Sequence, residues 1–333
     1  MYKKTDLAFF SFITAASVLT GCGSKNTAGA AEAPAVNKSD KLSVVCTIFP
    51  EYDWVREIMG SHTAEADITY LLDSGTDLHN FQPTASDIMK ISTCDIFIHV
   101  GGESDKWVDD ALEDAMNKDM KVIDLMDVIG DSAKEEELKE GMQEEDEEEE
   151  DEDEPEYDEH VWLSLKNAEV ICNVIADTLS QCDSANADDY KANLSAYTAK
   201  LDKMDNDFRS ITESAEHKTL IFGDRFPFRY LFDDYGLDYY AAFKGCSAES
   251  EASFETISFL ADKISELDCD TIFIIENSDK SIAESVIRNS GSKDCSIAEL
   301  NSVQSVSAND VNSGVTYLSI MQQNFDVLEK YLS

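Results

Sequence analysis

Two histidines, His79 and His160, are the residues of this sequence whose type and position suggest chemistry. His79 lies in a polar turn within 71–87, between an apolar run and the start of a helical pattern, and His160 lies between a long acidic run and another helical pattern. Neutral imidazole is a common ligand of divalent metals. In open parallel sheets, the loops at the ends of strands tend to carry ligands. The two histidines therefore suggest two halves of one metal site.

The elements that must position these histidines alternate between short apolar runs and helical patterns. Such alternation is typical of parallel sheets that are covered by helices on both faces. Four runs precede a long helical pattern and four follow it, so we predict strands at 43–48, 68–72, 95–100, 121–125, 219–222, 239–243, 271–275 and 296–300. The predicted fold class is α/β, with two similar lobes.

One long helix, at 187–211, is predicted between the lobes. Its apolar residues recur in steps of four and three and therefore share one stripe: Tyr190, Leu194, Tyr197, Leu201, Met204, Phe208 and Ile211. At about 1.5 Å per residue the helix is roughly 37 Å long, enough to run along both lobes. We expect an N-terminal lobe over 42–185, a linker helix over 186–216 and a C-terminal lobe over 217–333.

The N-terminus has the pattern of an export signal. A short basic start precedes a mostly apolar run at 7–19, which is shorter than the roughly 20 residues that span a bilayer. The sequence Leu-Thr-Gly-Cys22 resembles a bacterial lipobox. We therefore expect a signal peptide at 1–21, a lipid anchor on Cys22, a flexible tether at 22–41 and a location at the outer face of the cell membrane. An ordinary signal peptide with a chance cysteine is the alternative.

The acidic segment 134–159 interrupts the strand and helix pattern. Like charges repel one another and little apolar surface is available for burial, so we predict a disordered loop. One interpretation is that the loop serves solubility alone. The other is that its carboxylates bind divalent cations with low affinity. The formal net charge of the chain is −43. Nucleic acid is a poor partner for such a chain, because phosphate binding requires clustered Lys and Arg.

The cysteines do not predict a site. Of eight, seven remain besides Cys22, mostly in apolar settings and without a CxxC pair. An odd number in an exported protein does not indicate a disulfide framework, and the spacing does not indicate a thiolate zinc cluster. We interpret most of them as buried small hydrophobic residues.

Several motifs in this order resemble the zinc- and manganese-type solute-binding lipoproteins of ABC transporters. They are the lipobox, GTDLHNFQPTASD, the charged loop ending in HVWLS, the long helix, and VTYLSIMQQNFDVLEKYL at the C-terminus. The resemblance implies two α/β lobes joined by a rigid helix, with one divalent metal in the cleft between them. Zinc is the favoured metal and manganese is the alternative. It also implies a monomer that delivers the metal to a membrane permease and has no enzymatic activity.

By that resemblance, His79 and His160 match the first two metal ligands, and both come from the N-terminal lobe. A metal-bound imidazole normally needs a partner that orients its second nitrogen. Asp77 and Gln82 are nearby candidates for that role. In zinc members of the family the loop before the second histidine is usually rich in histidine, whereas here it is acidic.

The C-terminal lobe departs from the family's pattern. Arg225 stands where the family has a His or Glu ligand, and a guanidinium cannot coordinate a metal. Asp224 is the expected substitute, although it could also be a turn residue or an ion-pair partner of Arg225. Asn301 falls at the place of the fourth ligand, where its amide oxygen could give a weak bond. Glu276 matches an acidic position that we expect to support the site.

Two other functions remain open at this stage. The altered C-terminal lobe could have lost tight metal binding, in which case the fold would serve as a surface adhesion or interaction protein. A carboxylate-based hydrolase is the other, but the sequence contains neither a GxSxG elbow nor an HExxH helix.

Overall fold

The structure is a computed structural model that describes residues 41–143, 156–247, 251–292 and 294–333. The predicted signal peptide, Cys22 and nearly all of the predicted tether lie outside the described residues. In the part of the chain that is described, no helix has the length and apolar character needed to cross a membrane.

The N-terminal lobe is built on a parallel sheet. In the described residues it has four strands, in the order β2-β1-β3-β4: β1 (Leu42–Cys46), β2 (Ala66–Tyr70), β3 (Ile96–His99) and β4 (Lys121–Asp124). The helices of this lobe are α1 (Phe49–Met59), α2 (Ala85–Thr93), α3 (Trp107–Glu113), α4 (Leu125–Ile129) and α5 (Leu165–Cys182).

The linker helix α6 runs over Ala187–Ser214 and packs against α1 and α5 of the N-terminal lobe. The predicted apolar stripe faces this packing, since its members are buried or partly buried. The helix extends three residues beyond its predicted end.

The C-terminal lobe repeats the parallel arrangement of the first. Its described strands follow the order β6-β5-β7-β8: β5 (Thr219–Arg225), β6 (Asp238–Phe243), β7 (Thr271–Ile275) and β8 (Ser296–Leu300). Its helices are α7 (Arg229–Tyr235), α8 (Phe254–Glu266), α9 (Ser281–Ser290), α10 (Ala308–Asn312) and α11 (Tyr317–Leu332). The predicted α/β class with two similar lobes is confirmed.

Helix α11 returns to the N-terminal lobe and ties the two lobes together. The Tyr317 N–H donates to Asp53 Oδ2 on α1 at 2.9 Å, and the Tyr317 hydroxyl donates to the carbonyl of Trp162 at 2.6 Å. The Trp162 indole N–H donates in turn to the carbonyl of Ser302, after β8, at 2.8 Å. The chain around His160 is therefore anchored in both lobes.

The acidic segment is ordered at both of its ends, which corrects the prediction of a loop disordered over 134–159. Glu135 and Tyr157 form an antiparallel bridge, and the Glu136 N–H donates to the carbonyl of Glu156 at 2.8 Å. Basic partners offset the acidic charge: Arg229 pairs with Glu137, and Lys244 with Glu156. The residues between 143 and 156 lie outside the described part of the chain.

Candidate metal centre

His79 is presented by a short 3-10 turn, Leu78–Asn80, that follows β2. Asp77 begins this turn, and its side chain accepts the His79 N–H at 3.0 Å. Leu78 is buried beneath the turn. The turn therefore holds the imidazole at the end of the N-terminal sheet with its ring turned toward His160, whose ring centroid lies 5.2 Å away.

His160 begins a second 3-10 turn, Val161–Leu163, whose three side chains are all buried. Asp158 fixes the histidine twice, because its Oδ1 atom accepts both the backbone N–H of His160 at 2.8 Å and the ring Nδ1–H at 3.0 Å. The imidazole is fully buried. The last residues of the acidic segment thus orient this ring.

The two rings face each other through their Nε2 atoms, which lie 3.4 Å apart. His79 Nδ1 lies 2.8 Å from Ser104 Oγ, which can accept its proton. The carboxylate oxygen Oε2 of Glu159 lies 3.5 Å from the same nitrogen. Each ring can therefore carry its proton on Nδ1 and present its Nε2 atom as an acceptor. Two imidazoles bound tetrahedrally to zinc at about 2.0–2.1 Å hold their nitrogens roughly 3.3–3.4 Å apart. The observed Nε2 separation matches that spacing.

Burial keeps both imidazoles neutral. It lowers the pKa of His79 to about 3, with a further contribution from the adjacent His160, and it lowers the pKa of His160 to about 4. Desolvation disfavours the charged imidazolium, so both rings present lone pairs at neutral pH. Neutral imidazole is the form that binds metal.

Glu159 reaches its place because a glycine lies beneath it. Gly102 has a φ of +77°, and a Cβ on it would lie 2.5 Å from Glu159 Oε1. The same Oε1 atom accepts the Ser104 N–H at 2.8 Å. The glycine therefore allows the loop after β3 to approach the carboxylate that faces His79.

The C-terminal lobe brings Gln304 to the histidine pair. Its side-chain Nε2 lies 2.8 Å from His160 Nε2, and its Oε1 accepts the Leu78 N–H at 3.3 Å. Glu276 holds the loop that carries Gln304, because its carboxylate accepts both the N–H and the hydroxyl of Ser302, at 2.7 and 2.6 Å. Glu276 thus fixes the backbone of the loop that brings Gln304 to His160.

Arg225 pairs with Asp77 across the cleft. Its Nη2 atom donates to Asp77 Oδ2 at 2.5 Å, and its Nη1 atom donates to the carbonyl of Ser247 at 3.3 Å. The guanidinium of Arg225, the residue at which the resemblance implies a ligand, is therefore an ion-pair partner of the N-terminal lobe. Asp77, considered from the sequence as an orienting partner for a ring nitrogen, binds the backbone N–H of His79 and this guanidinium.

The oxygen ligands suggested by the sequence are held elsewhere. Asp224 accepts the N–H of Arg225 at 2.9 Å and that of Ile275 at 3.5 Å, and it lines a cavity of about 390 Å³ between the lobes. Asn301 Oδ1 accepts the Val303 N–H at 2.7 Å. Both side chains thus have backbone partners in their own lobe, and their ligation stays a prediction.

The structure adds a cysteine that the sequence analysis treated as a small hydrophobic residue. One ligand atom from each of His79, His160 and Cys246 lies within 4.8 Å of the other two. Cys246 Sγ is 4.0 Å from His160 Nδ1. Nothing in the sequence near Cys246 marks it, whereas Asp158 and Glu159 could have been noticed as immediate neighbours of His160.

Comparison with known proteins agrees with a metal centre. Residues 44–331 match the family model of the periplasmic zinc-uptake complex component A, ZnuA. The chain is 31% identical over 336 residues to the high-affinity zinc uptake system protein ZnuA of Bacillus subtilis, covering 100% of this chain and 99% of that protein. It is 27% identical over 294 residues to the zinc-binding lipoprotein AdcA of Streptococcus pneumoniae, covering 87% of this chain and 56% of that protein.

A solved structure shares the fold. The Zn(II)-bound ZnuA-like domain of Streptococcus pneumoniae AdcA matches with a TM-score of 0.68 at 26% identity, covering 88% of this chain and 99% of that domain. The chain spans 56–57% of the length of the streptococcal AdcA proteins that it matches. Zinc is named in each of these descriptions.

Proposed function

Because the chain belongs to the ZnuA family of periplasmic zinc-uptake complex components, we propose that it captures zinc outside the cytoplasm and delivers it to the permease of an ABC transporter. The family's members are uptake components and not enzymes. The zinc named for the relatives favours zinc over manganese as the cargo.

The 3.4 Å separation between the Nε2 atoms of His79 and His160 carries this proposal. Two buried, neutral imidazoles whose lone-pair atoms face each other are arranged as two ligands of one ion. Both second nitrogens have oxygen partners, Ser104 for His79 and Asp158 for His160. Such partners fix the ring orientation and raise the basicity of the ligand.

Contacts from the second lobe support cargo capture by closure of the cleft. Gln304 and Cys246 of the C-terminal lobe approach the ring nitrogens of His160, while Arg225 pairs with Asp77 beside His79. An ion that takes ligands from both lobes binds the closed arrangement more tightly than an open one. Zinc binding and lobe closure would therefore be coupled, and a permease could recognise the closed form.

Attachment to the membrane through a lipid on Cys22 is the second part of the proposal. It is supported by the Leu-Thr-Gly-Cys22 sequence after an apolar run and by the description of the Streptococcus pneumoniae relative as a lipoprotein. The anchor would hold the protein on the outer face of the membrane, close to the permease.

The test is a calorimetric titration of the purified, metal-free chain with zinc and, separately, with manganese. We expect zinc to bind with a Kd below about 10 μM, which corresponds to about −6.8 kcal/mol, and to bind more tightly than manganese. If neither metal binds in this range, the transport function is wrong and the alternative of a surface interaction protein takes its place.

A further inference from the structure

We propose that Cys246 supplies a ligand from the C-terminal lobe, as a thiolate, to the zinc ion held by His79 and His160. This inference rests on the proposed function and adds a residue to its site. It replaces the ligand that Arg225 cannot provide.

The position of the sulfur carries the inference. Ligand atoms of Cys246, His79 and His160 lie mutually within 4.8 Å. In a tetrahedral site with Zn–S of about 2.3 Å and Zn–N of about 2.0–2.1 Å, sulfur and nitrogen are roughly 3.5–3.6 Å apart. The sulfur lies within 4.8 Å of a ring nitrogen of each histidine and must move closer to complete a three-ligand set. Cysteine has a single side-chain torsion that moves its sulfur, and a rotation of this torsion can supply part of that movement.

The loop that carries Cys246 is fixed close to the site. The Cys246 N–H donates to Glu136 Oε1 at 3.0 Å, and the carbonyl of the next residue, Ser247, accepts from Arg225. A Cβ on Gly245 would lie 2.9 Å from the carbonyl oxygen of Phe226, so the backbone is packed tightly there. The loop thus holds the thiol against the His160 ring.

A buried carboxylate beside the sulfur also points to a cation. Glu136, Asp158 and Cys246 each offer a ligand atom within 4.8 Å of the others. Asp158 Oδ1 binds His160, but Asp158 Oδ2 is buried without a hydrogen-bond partner among the described residues. A positive ion next to Cys246 would offset the cost of burying that oxygen.

Zinc binding at this site would release a proton. The S–H bond of Cys246 breaks, a Zn–S bond forms between the thiolate and the ion, and the proton passes to solvent. Burial raises the pKa of the free thiol, but coordination to zinc deprotonates a thiol outright. Two imidazoles and one thiolate make three protein ligands, the number typical of zinc sites that keep an open position. A soft thiolate also favours zinc over manganese, which prefers oxygen ligands.

The test compares Cys246→Ser with Cys269→Ser, a matched control at another partly exposed cysteine of the same lobe. All proteins are kept reduced with a phosphine that does not bind zinc. We expect Cys246→Ser to weaken zinc binding by roughly tenfold or more, the scale of loss seen when groups at metal sites are removed. Cys269→Ser should bind zinc as the wild type does.

Cobalt(II) in place of zinc reports the ligand directly. We expect the wild type and Cys269→Ser to show a near-ultraviolet sulfur-to-cobalt charge-transfer band, and Cys246→Ser to lack it. Zinc should also protect Cys246 of the wild type from alkylation, as measured by mass spectrometry, which needs no variant.

The outcomes separate the two proposals. Zinc binding that is unchanged in Cys246→Ser, together with no charge-transfer band in the wild type, would overturn the thiolate ligand and leave the zinc function standing. A wild type that binds no zinc would overturn both proposals.

Discussion

Arg225 donates a hydrogen bond across the cleft to Asp77 Oδ2, while the other carboxylate oxygen of Asp77 lies 4.0 Å from His79 Nε2. A single carboxylate thus separates a permanent positive charge from the proposed metal position. This ion pair links the two lobes without a metal. It persists at any physiological pH because a guanidinium stays protonated. It also places a cation near a site that we expect to receive another.

Replacing Arg225 tests the effect of that charge. Arg225→His removes the permanent cation and offers an imidazole, so we expect zinc to bind roughly tenfold more tightly, or about 1.4 kcal/mol. Arg225→Gln is the control, because it removes the charge without adding a strong ligand, and its gain should be smaller. Calorimetric titration measures both. Weaker zinc binding by Arg225→His would show that the Asp77 pair is needed to form the site.

Gln304 competes with the metal for His160. Its amide donates to the Nε2 lone pair that zinc needs, and such a bond contributes about 0.5–1.5 kcal/mol net. Gln304→Ala should therefore tighten zinc binding by a few-fold, while Gln323→Ala, an exposed glutamine on α11, should leave it unchanged. A loss of affinity in Gln304→Ala would mean that the amide turns its oxygen to the ion and acts as a ligand.

Asp53 makes stability depend on pH. Burial raises the pKa of Asp53 to about 6, so the folded protein retains a proton that the unfolded chain loses near the ordinary value of 3.8. Protonated Asp53 therefore stabilises the folded protein fully below pH 3.8, and this stabilisation is lost as the pH rises through about 6. Asp53→Asn keeps an oxygen acceptor for Tyr317 and removes the ionisation.

The unfolding free energy of Asp53→Asn relative to wild type should therefore rise between pH 4 and pH 7, by up to about 3 kcal/mol at 1.36 kcal/mol per pKa unit. Urea unfolding at several pH values measures this difference. Asp262→Asn, at an exposed carboxylate on α8, is the matched surface control. A flat difference for Asp53→Asn would mean that folding leaves the pKa of Asp53 unchanged.

Cys22→Ala tests the anchor. Without the acceptor cysteine, we expect the protein to appear in the soluble fraction or to accumulate as uncleaved precursor, as seen by fractionation and immunoblotting. Cys182→Ser, at an exposed cysteine on α5, should remain with the membrane. A Cys22→Ala protein that is processed and retained like wild type would show that the lipobox interpretation is wrong.

The sequence predicted the fold well because the fold depends on local patterns. All eight strands of the described residues lie where apolar runs were found, and β7 and β8 have the predicted bounds. The short helices α3, α4 and α10 were missed, because five to seven residues are too few to establish a helical period. The ends of the acidic segment were predicted as disordered because composition does not reveal pairing with distant bases such as Arg229.

The site could be predicted only in its N-terminal half. His79 and His160 lie beside elements that are visible in the sequence, so their role could be proposed from position. Cys246 and Gln304 reach the site only because the second lobe packs against the first. The sequence around each of them does not indicate a metal-binding residue. The resemblance placed Arg225 where a ligand was expected, but only the folded structure shows which side chains approach the histidines from the second lobe.

Zinc titration of the wild type beside His79→Ala and His160→Ala tests the central claim most directly. Each substitution removes one of two facing imidazoles, so each should weaken zinc binding by well over roughly tenfold. His217→Ala, at an exposed histidine outside the site, should bind as the wild type does. Retention of wild-type zinc affinity by either His79→Ala or His160→Ala would contradict the account.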